Sequence, residues 1–163
     1  MNALPNISLM TPGQKDAASD LFHLERFVQA QQSCYFQVLH ELRRCRKESH
    51  WMWFIFPQIQ GLGRSSTAEF YAIKSSAEAG AYLDHPVLGP RLLECAETIL
   101  RCAGKSAEAI FGFPDHLKLR SSMTLFASVS EPNSIFKRVL ARYFDGQLDE
   151  RTIELLKTKA RGA

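Results

Sequence analysis

The sequence predicts an all-α fold, a compact single domain of about seven or eight helices. Three observations predict it. Apolar residues recur at helical spacing along most of the chain, and residues that start and stop helices flank those stretches. No run alternates with period two between hairpin turns, as a sheet would require. The helical domain is expected over residues 19–160, behind a flexible N-terminal arm of residues 1–18 rich in Pro, Gly, Asn and Ser.

The elements can be read in chain order. Asp20 precedes the first stripe, in which Leu21, Leu24, Phe27 and Val28 share a helical face. Tyr35, Val38, Leu39 and Leu42 share the next, which runs out in the basic stretch Arg43 to Lys47; cations suit the negative end of a helix dipole. The apolar run 50–57, "HWMWFIFP", covers every direction whether wound at a helical or a strand period. Such a segment should be buried on all sides, and with no partner strand in view it is expected as a short helical or 3₁₀ turn ended by Pro57. Ser66-x-x-Glu69 and Ser75-x-x-Glu78 read as capping boxes that open two further helices. His85-Pro86 separates the second of these from the next helix, because a residue before proline avoids helical geometry. Leu88, Leu92, Cys95, Ala96, Ile99 and Ala103 make a long stripe stopped at Gly104, and Gly112 stops another segment. Pro114 stands at the first position of a helix with Leu119, Met123 and Phe126 on its buried face. Ile135, Phe136, Val139, Leu140, Tyr143 and Phe144 repeat the pattern up to Gly146, and Asp149-x-x-Thr152 opens the last helix.

The totals narrow the function classes. The chain has 163 residues, of which 45% are hydrophobic and 23% charged, the composition of ordinary globular material. Its longest uncharged apolar stretch falls well short of the roughly 20 residues that span a bilayer, so no membrane partner is expected. The N-terminus has no basic region followed by an apolar run, which reads as cytoplasmic rather than secreted. A net charge of +3 is too mild to imply nucleic acid. Cys34, Cys45, Cys95 and Cys102 contain no CxxC pair, so they are expected as reduced, buried small hydrophobes, and no metal site or cofactor is expected.

Two blocks carry the candidate chemistry. In the first, Pro57 to Ser66 forms a glycine-containing loop running into a capped helix start, where backbone N–H groups lack partners and an anion fits. Gly61 and Gly63 would let a ligand approach the main chain, Arg64 would add charge, and Gln58 and Ser65 would add polar contacts. A GxG of this kind more commonly marks tight turning, and the lysine of a phosphate loop is missing. In the second block, Asp115, Lys118, Ser121 and Ser122 share a polar helical face. Asp115 and Lys118 also make a plain exposed pair. His50, beside Trp51 and Trp53, is either a general acid or base or a buried histidine bonded to a carbonyl.

These residues carry a resemblance. The chain resembles the bacterial and fungal family called domain of unknown function 1810. The blocks that carry it are Arg26-Phe27-Val28 with Ala30-Gln31, Glu41-Leu42, "HWMWFIFPQIQGLG", Tyr71-Ala72-Ile73, "EAGAYLDHPVLGPRL", "IFGFPDHLKLRSSMTLF" and "YFDGQLDERTIELL", over about residues 20–157. Cys45 stands where such proteins usually carry glycine before Arg46-Lys47. The resemblance implies a small all-helical protein without an assigned activity. Some members bear the label calpastatin, which does not suit a chain with a full core. A fainter likeness is to the NADAR family, which acts on ADP-ribosyl or related N-glycosidic compounds, and it draws attention to nucleotide-like ligands.

The expected site is therefore a pocket built by residues 50–74 and 115–124 for a small anionic ligand. Trp51 or Trp53 would stack a flat ligand, amides near Gly63 would hold an anion, and Lys118 would balance charge. Tyr71 and Lys74 fall within the first block. A protein-interaction module with the aromatic run half exposed, and a helical domain whose blocks merely pack together, are the alternatives. The oligomeric state stays open.

Overall fold

Asp20 opens the fold as an external cap. Its carboxylate accepts the N–H groups of Leu24 at 2.6 Å and Glu25 at 3.1 Å, which starts α1 (Glu25–Gln32). The computed structural model describes residues 20–163, and the predicted arm of residues 1–18 lies outside them. The chain continues through α2 (Tyr35–Arg43), α3 (Met52–Ile55), α4 (Ser66–Phe70), α5 (Ser76–Asp84) and α6 (Leu88–Leu100). It ends with α7 (Ala107–Phe111), α8 (Asp115–Ala127), α9 (Ile135–Phe144) and α10 (Glu150–Arg161). The described residues thus form ten helices and no strand, where the sequence predicts seven or eight. The difference has a simple cause: α3, α4 and α7 span four or five residues each, too few to display a stripe.

The two 13-residue helices organise the packing. α6 packs against α2, α5 and α9, and α8 against α5, α7, α9 and α10. Their buried faces belong to one apolar cluster with α3 among its members. Trp51, Met52, Ile55 and Phe56 are each no more than 2% exposed. All-round burial nevertheless fails at Trp53 and Phe54, which are half-buried. The chain after Pro57 then makes an excursion that is tied at its base. Gln60 N–H donates to the Ile73 carbonyl and Ile73 N–H to the Gln58 carbonyl, both at 2.8 Å, an isolated parallel bridge. α4 rides on this closed excursion.

Not every start signal acts as spacing places it. Ser65, not Ser66, caps α4, its hydroxyl accepting from Ala68 N–H at 3.1 Å. Ser75 caps α5 as expected, but Glu78 does not return the bond to Ser75. Its carboxylate accepts from Lys74 N–H at 2.8 Å and from the Arg26 guanidinium at 2.7 Å. A nearly buried cation offers a stronger partner than a neutral amide. Leu21, expected on the first buried face, is 80% exposed because α1 begins only at Glu25, after His23 takes a left-handed φ of 54°.

The expectation of four reduced cysteines is overturned. Cys45 and Cys102 form a disulfide, with Cα atoms 5.7 Å apart at a sequence separation of 57, while Cys34 and Cys95 are free. The helix that carries Cys95 ends before the predicted stripe does: α6 stops at Leu100 rather than running to Ala103, and Cys102 turns toward the loop leaving α2. Cys45 itself has φ +53°, a left-handed conformation that glycine adopts without cost.

Candidate functional site

The site is built outward from Glu41, a carboxylate 1% exposed on α2. It accepts the N–H groups of Glu48 at 2.8 Å and Ser49 at 3.0 Å, Trp51 Nε1–H at 2.9 Å and the Gln37 side-chain amide at 3.0 Å. The Ser49 hydroxyl donates to it as well. Burial pushes its pKa up, but the Ser49 hydroxyl, the two loop amides and Gln37 outweigh that and hold it at about 2. The loop between α2 and α3 is thereby wrapped around one buried anion.

That wrapping presents Lys47. Its Nζ donates to the Ser49 carbonyl at 2.6 Å, lies 5.0 Å from the Trp51 ring centre and pairs with Asp115 at 2.8 Å. Asp115 is the first residue of α8, where the helix dipole favours negative charge. Its second oxygen meets Lys118 Nζ at 3.1 Å, and that ammonium sits 5.1 Å from the Trp53 ring centre. Burial raises the Asp115 carboxyl, yet the two lysines more than compensate and keep it below the usual range. Asp115 thus sits between two lysines, each over a tryptophan. With Glu41 counted the four charges of this row cancel, and the positive charge at the cleft itself is that of Lys118 and Arg64.

Outside this row lies a cleft of about 420 Å³. Trp53, Gln58, Leu62, Gly63, Arg64, Ser65 and Ala68 form one wall, and Pro114, Leu117, Lys118 and Ser121 form the other. Behind Trp53 a cavity of about 20 Å³ touches Gln58, Gly63 and Tyr71, room for about one water. A larger, more open groove of about 630 Å³ lies elsewhere, lined by Leu83, Leu93, Val129, Ile135 and Phe136 with Glu97, Glu131 and Arg138. Its charged residues are of mixed sign, whereas those lining the cleft are Arg64 and Lys118.

Comparison with known proteins bears on this arrangement. The family described as "Protein of unknown function (DUF1810)" matches residues 21–156. The chain belongs to this family. It is also similar to a solved structure, the conserved hypothetical protein Rv1873 from Mycobacterium tuberculosis, at 53% identity. That likeness covers 85% of this chain and 99% of the other, with a TM-score of 0.83. No curated protein matches. The NADAR likeness finds no support in these matches, and neither description carries the calpastatin label.

Within the DUF1810 fold the expected site residues divide. Trp53, Gln58, Gly63, Arg64, Ser65, Lys118 and Ser121 meet at the cleft, with Tyr71 behind it and Asp115 beneath Lys118. His50 is exposed and Lys74 is exposed, and neither lines the cleft. Trp51 is buried against Phe56, Phe111 and Glu41, so it cannot stack a ligand. Ser122 is fully buried, its hydroxyl unpartnered, and outside the cleft lining. Ser121 and Ser122 flank the Lys118 direction of α8 about 100° apart from each other, and the packing of the helix turns the Ser122 side into the core. The glycines also have structural reasons. Gly61 takes φ +108°, and a Cβ on Gly63 would lie 2.4 Å from Ala68 Cβ. α4 has five residues and its cap already occupies the Ala68 amide, so positive charge at the cleft comes from side chains rather than from an amide cradle at Ser66. Sequence reasoning misses Glu41 and Lys47 entirely. Their spacing matches ordinary helix-surface and helix-end charge, and only the loop's wrapping reveals the burial.

Among the described residues no three His, Cys, Asp or Glu side chains converge as metal ligands would, and no helix is long and apolar enough to cross a membrane.

Proposed function

We propose that this DUF1810 chain binds or processes a small anionic ligand, nucleotide- or sugar-phosphate-like, in the cleft between the 57–66 loop and the first two turns of α8. The observation that carries the reading is the convergence of Lys118, Arg64 and the half-buried Trp53 on one cleft. Its volume of about 420 Å³ suits a small-molecule ligand, within the range of about 300–1,000 Å³ for such sites. Lys118 has three N–H donors and spends one on Asp115, which leaves donors for an incoming oxyanion. Arg64 is exposed and has no ion pair among the described residues, so its fork suits a phosphate or carboxylate. Trp53, Leu62, Pro114 and Leu117 supply an apolar wall, and Gln58, Ser65 and Ser121 supply orientation. An interaction module built on residues 50–57 needs that run half exposed, and five of its residues are buried.

Thermal-shift screening with nucleotides and sugar phosphates, followed by calorimetric titration, tests the reading. Lys118→Ala should weaken the best anion by about 1.5–3 kcal/mol, the range for hydrogen bonds to charged groups. Trp53→Ala should weaken planar ligands more than simple phosphates, and His50→Ala should change nothing. Undiminished affinity in both Lys118→Ala and Arg64→Ala would rule out the cleft as the site.

A further inference from the structure

A second chemical feature lies away from the cleft, at the Cys45–Cys102 disulfide. Cys45 is half-buried, whereas Cys102 is 1% exposed, so Cys45 is the end of the bond nearer to solvent. Five exposed cations are next to the two cysteines in the chain or bonded to their carbonyls. Arg44 and Arg46 flank Cys45 in the chain, and Arg101 precedes Cys102. Lys105 Nζ donates to the Cys45 carbonyl and Arg142 Nη2 to the Cys102 carbonyl, both at 3.3 Å. Arg46 pairs with Glu48 at 3.4 Å, and the other four have no ion pair among the described residues. The loop carrying Cys45 is also held without the disulfide. Cys45 N–H donates to the Leu42 carbonyl at 2.9 Å, Arg46 N–H to the Glu41 carbonyl at 3.1 Å and Lys47 N–H to the Ile110 carbonyl at 2.7 Å. Glu41 grips the loop further along. The bond can therefore open while the surrounding chain keeps its path.

We propose that Cys45–Cys102 is a thiol-exchange site for small anionic thiols, steered by these cations. The thiolate attacks Cys45 Sγ and forms a mixed disulfide. The Cys45–Cys102 bond breaks, and Cys102 leaves with the electron pair and takes up a proton. A second thiolate attacks the added sulfur, releases Cys45 as a thiolate and departs as the small-molecule disulfide. Two thiols are oxidised to one disulfide, and the protein disulfide is reduced by two electrons. The proposal does not depend on the cleft.

The test uses the oxidised full-length chain with 3-mercaptopropionate, 2-mercaptoethanol and cysteamine, which are anionic, neutral and cationic thiols. Reduction is followed by alkylation and peptide mapping, which separates Cys45 and Cys102 from Cys34 and Cys95. Rates are normalised to thiolate concentration and to each thiolate's rate with a neutral small-molecule disulfide. The anionic thiol should react about tenfold faster than the cationic one at low salt, and the difference should shrink at 1 M salt. Arg44→Glu with Lys105→Glu should remove or reverse the order, and a trapped mixed disulfide should map to Cys45. Far-UV circular dichroism should be unchanged after reduction. Equal rates at low salt, a mixed disulfide on Cys102, reduction only under denaturant, or four free thiols in the air-oxidised protein would each overturn the proposal.

Discussion

Glu41 illustrates how much one buried side chain can organise. Its folded pKa of about 2 lies below the usual value near 4.5, so its ionisation favours the folded state. That contribution is fully present above about pH 4.5 and is lost as pH falls toward 2. Urea unfolding at a series of pH values should show stability declining across that window, and Glu41→Gln should be less stable at pH 7 and lose less on acidification. A mutant with the wild-type slope would mean that other carboxylates set the acid limit. The tryptophans should separate just as clearly. Trp51→Ala removes a buried ring and the Nε1–H bond to Glu41, and should cost roughly 3–5 kcal/mol. Trp53→Ala, half-buried at the cleft, should cost distinctly less, and equal shifts in denaturant midpoint would contradict this division.

At the scale of elements, close approach and cross-linking decide what propensity leaves open. Gly63 meets Ala68 where α4 folds back on its own loop, and Gly63→Ala would force Cβ atoms to 2.4 Å. The chain must shift, at a cost of about 1–3 kcal/mol, typical of overpacking. The same shift should disturb the cleft wall, so fluorescence of Trp53 should change along with the unfolding midpoint. The disulfide joins the exit of α2 to the exit of α6 across 57 residues. Cys102→Ser should lower stability by about 2–4 kcal/mol relative to the oxidised protein, and reductant should lower the wild type by a similar amount while leaving the mutant unmoved.

For the whole molecule, buried side chains from α1, α2, α3, α6, α8 and α9 share one apolar cluster, with the first tryptophan inside it. Unfolding followed by far-UV circular dichroism and by tryptophan fluorescence should therefore give coincident transitions. Two separated midpoints would mean that part of the helical array folds apart from the Trp51 region.

The sequence by itself determined the helical class, the order of the long helices and most of their ends. Those features depend on neighbours three or four residues away, and Leu88 to Ile99 or Ile135 to Phe144 carry that information locally. It also marked Trp53, Gln58, Arg64, Lys118 and Ser121 as candidates, together with His50, Trp51, Lys74 and Ser122 that do not line the cleft, because amide, cationic and aromatic groups stand out beside an apolar run. Only the tertiary structure decided that Trp51 faces inward to Glu41 while Trp53 faces the cleft, that Ser121 rather than Ser122 reaches it, and that Cys45 meets Cys102. Each of those outcomes depends on the angle at which one element meets another distant in sequence, and on a loop that folds around a buried carboxylate. No local spacing records such an angle, because the energy that selects it comes from packing and ion pairing across the assembled core.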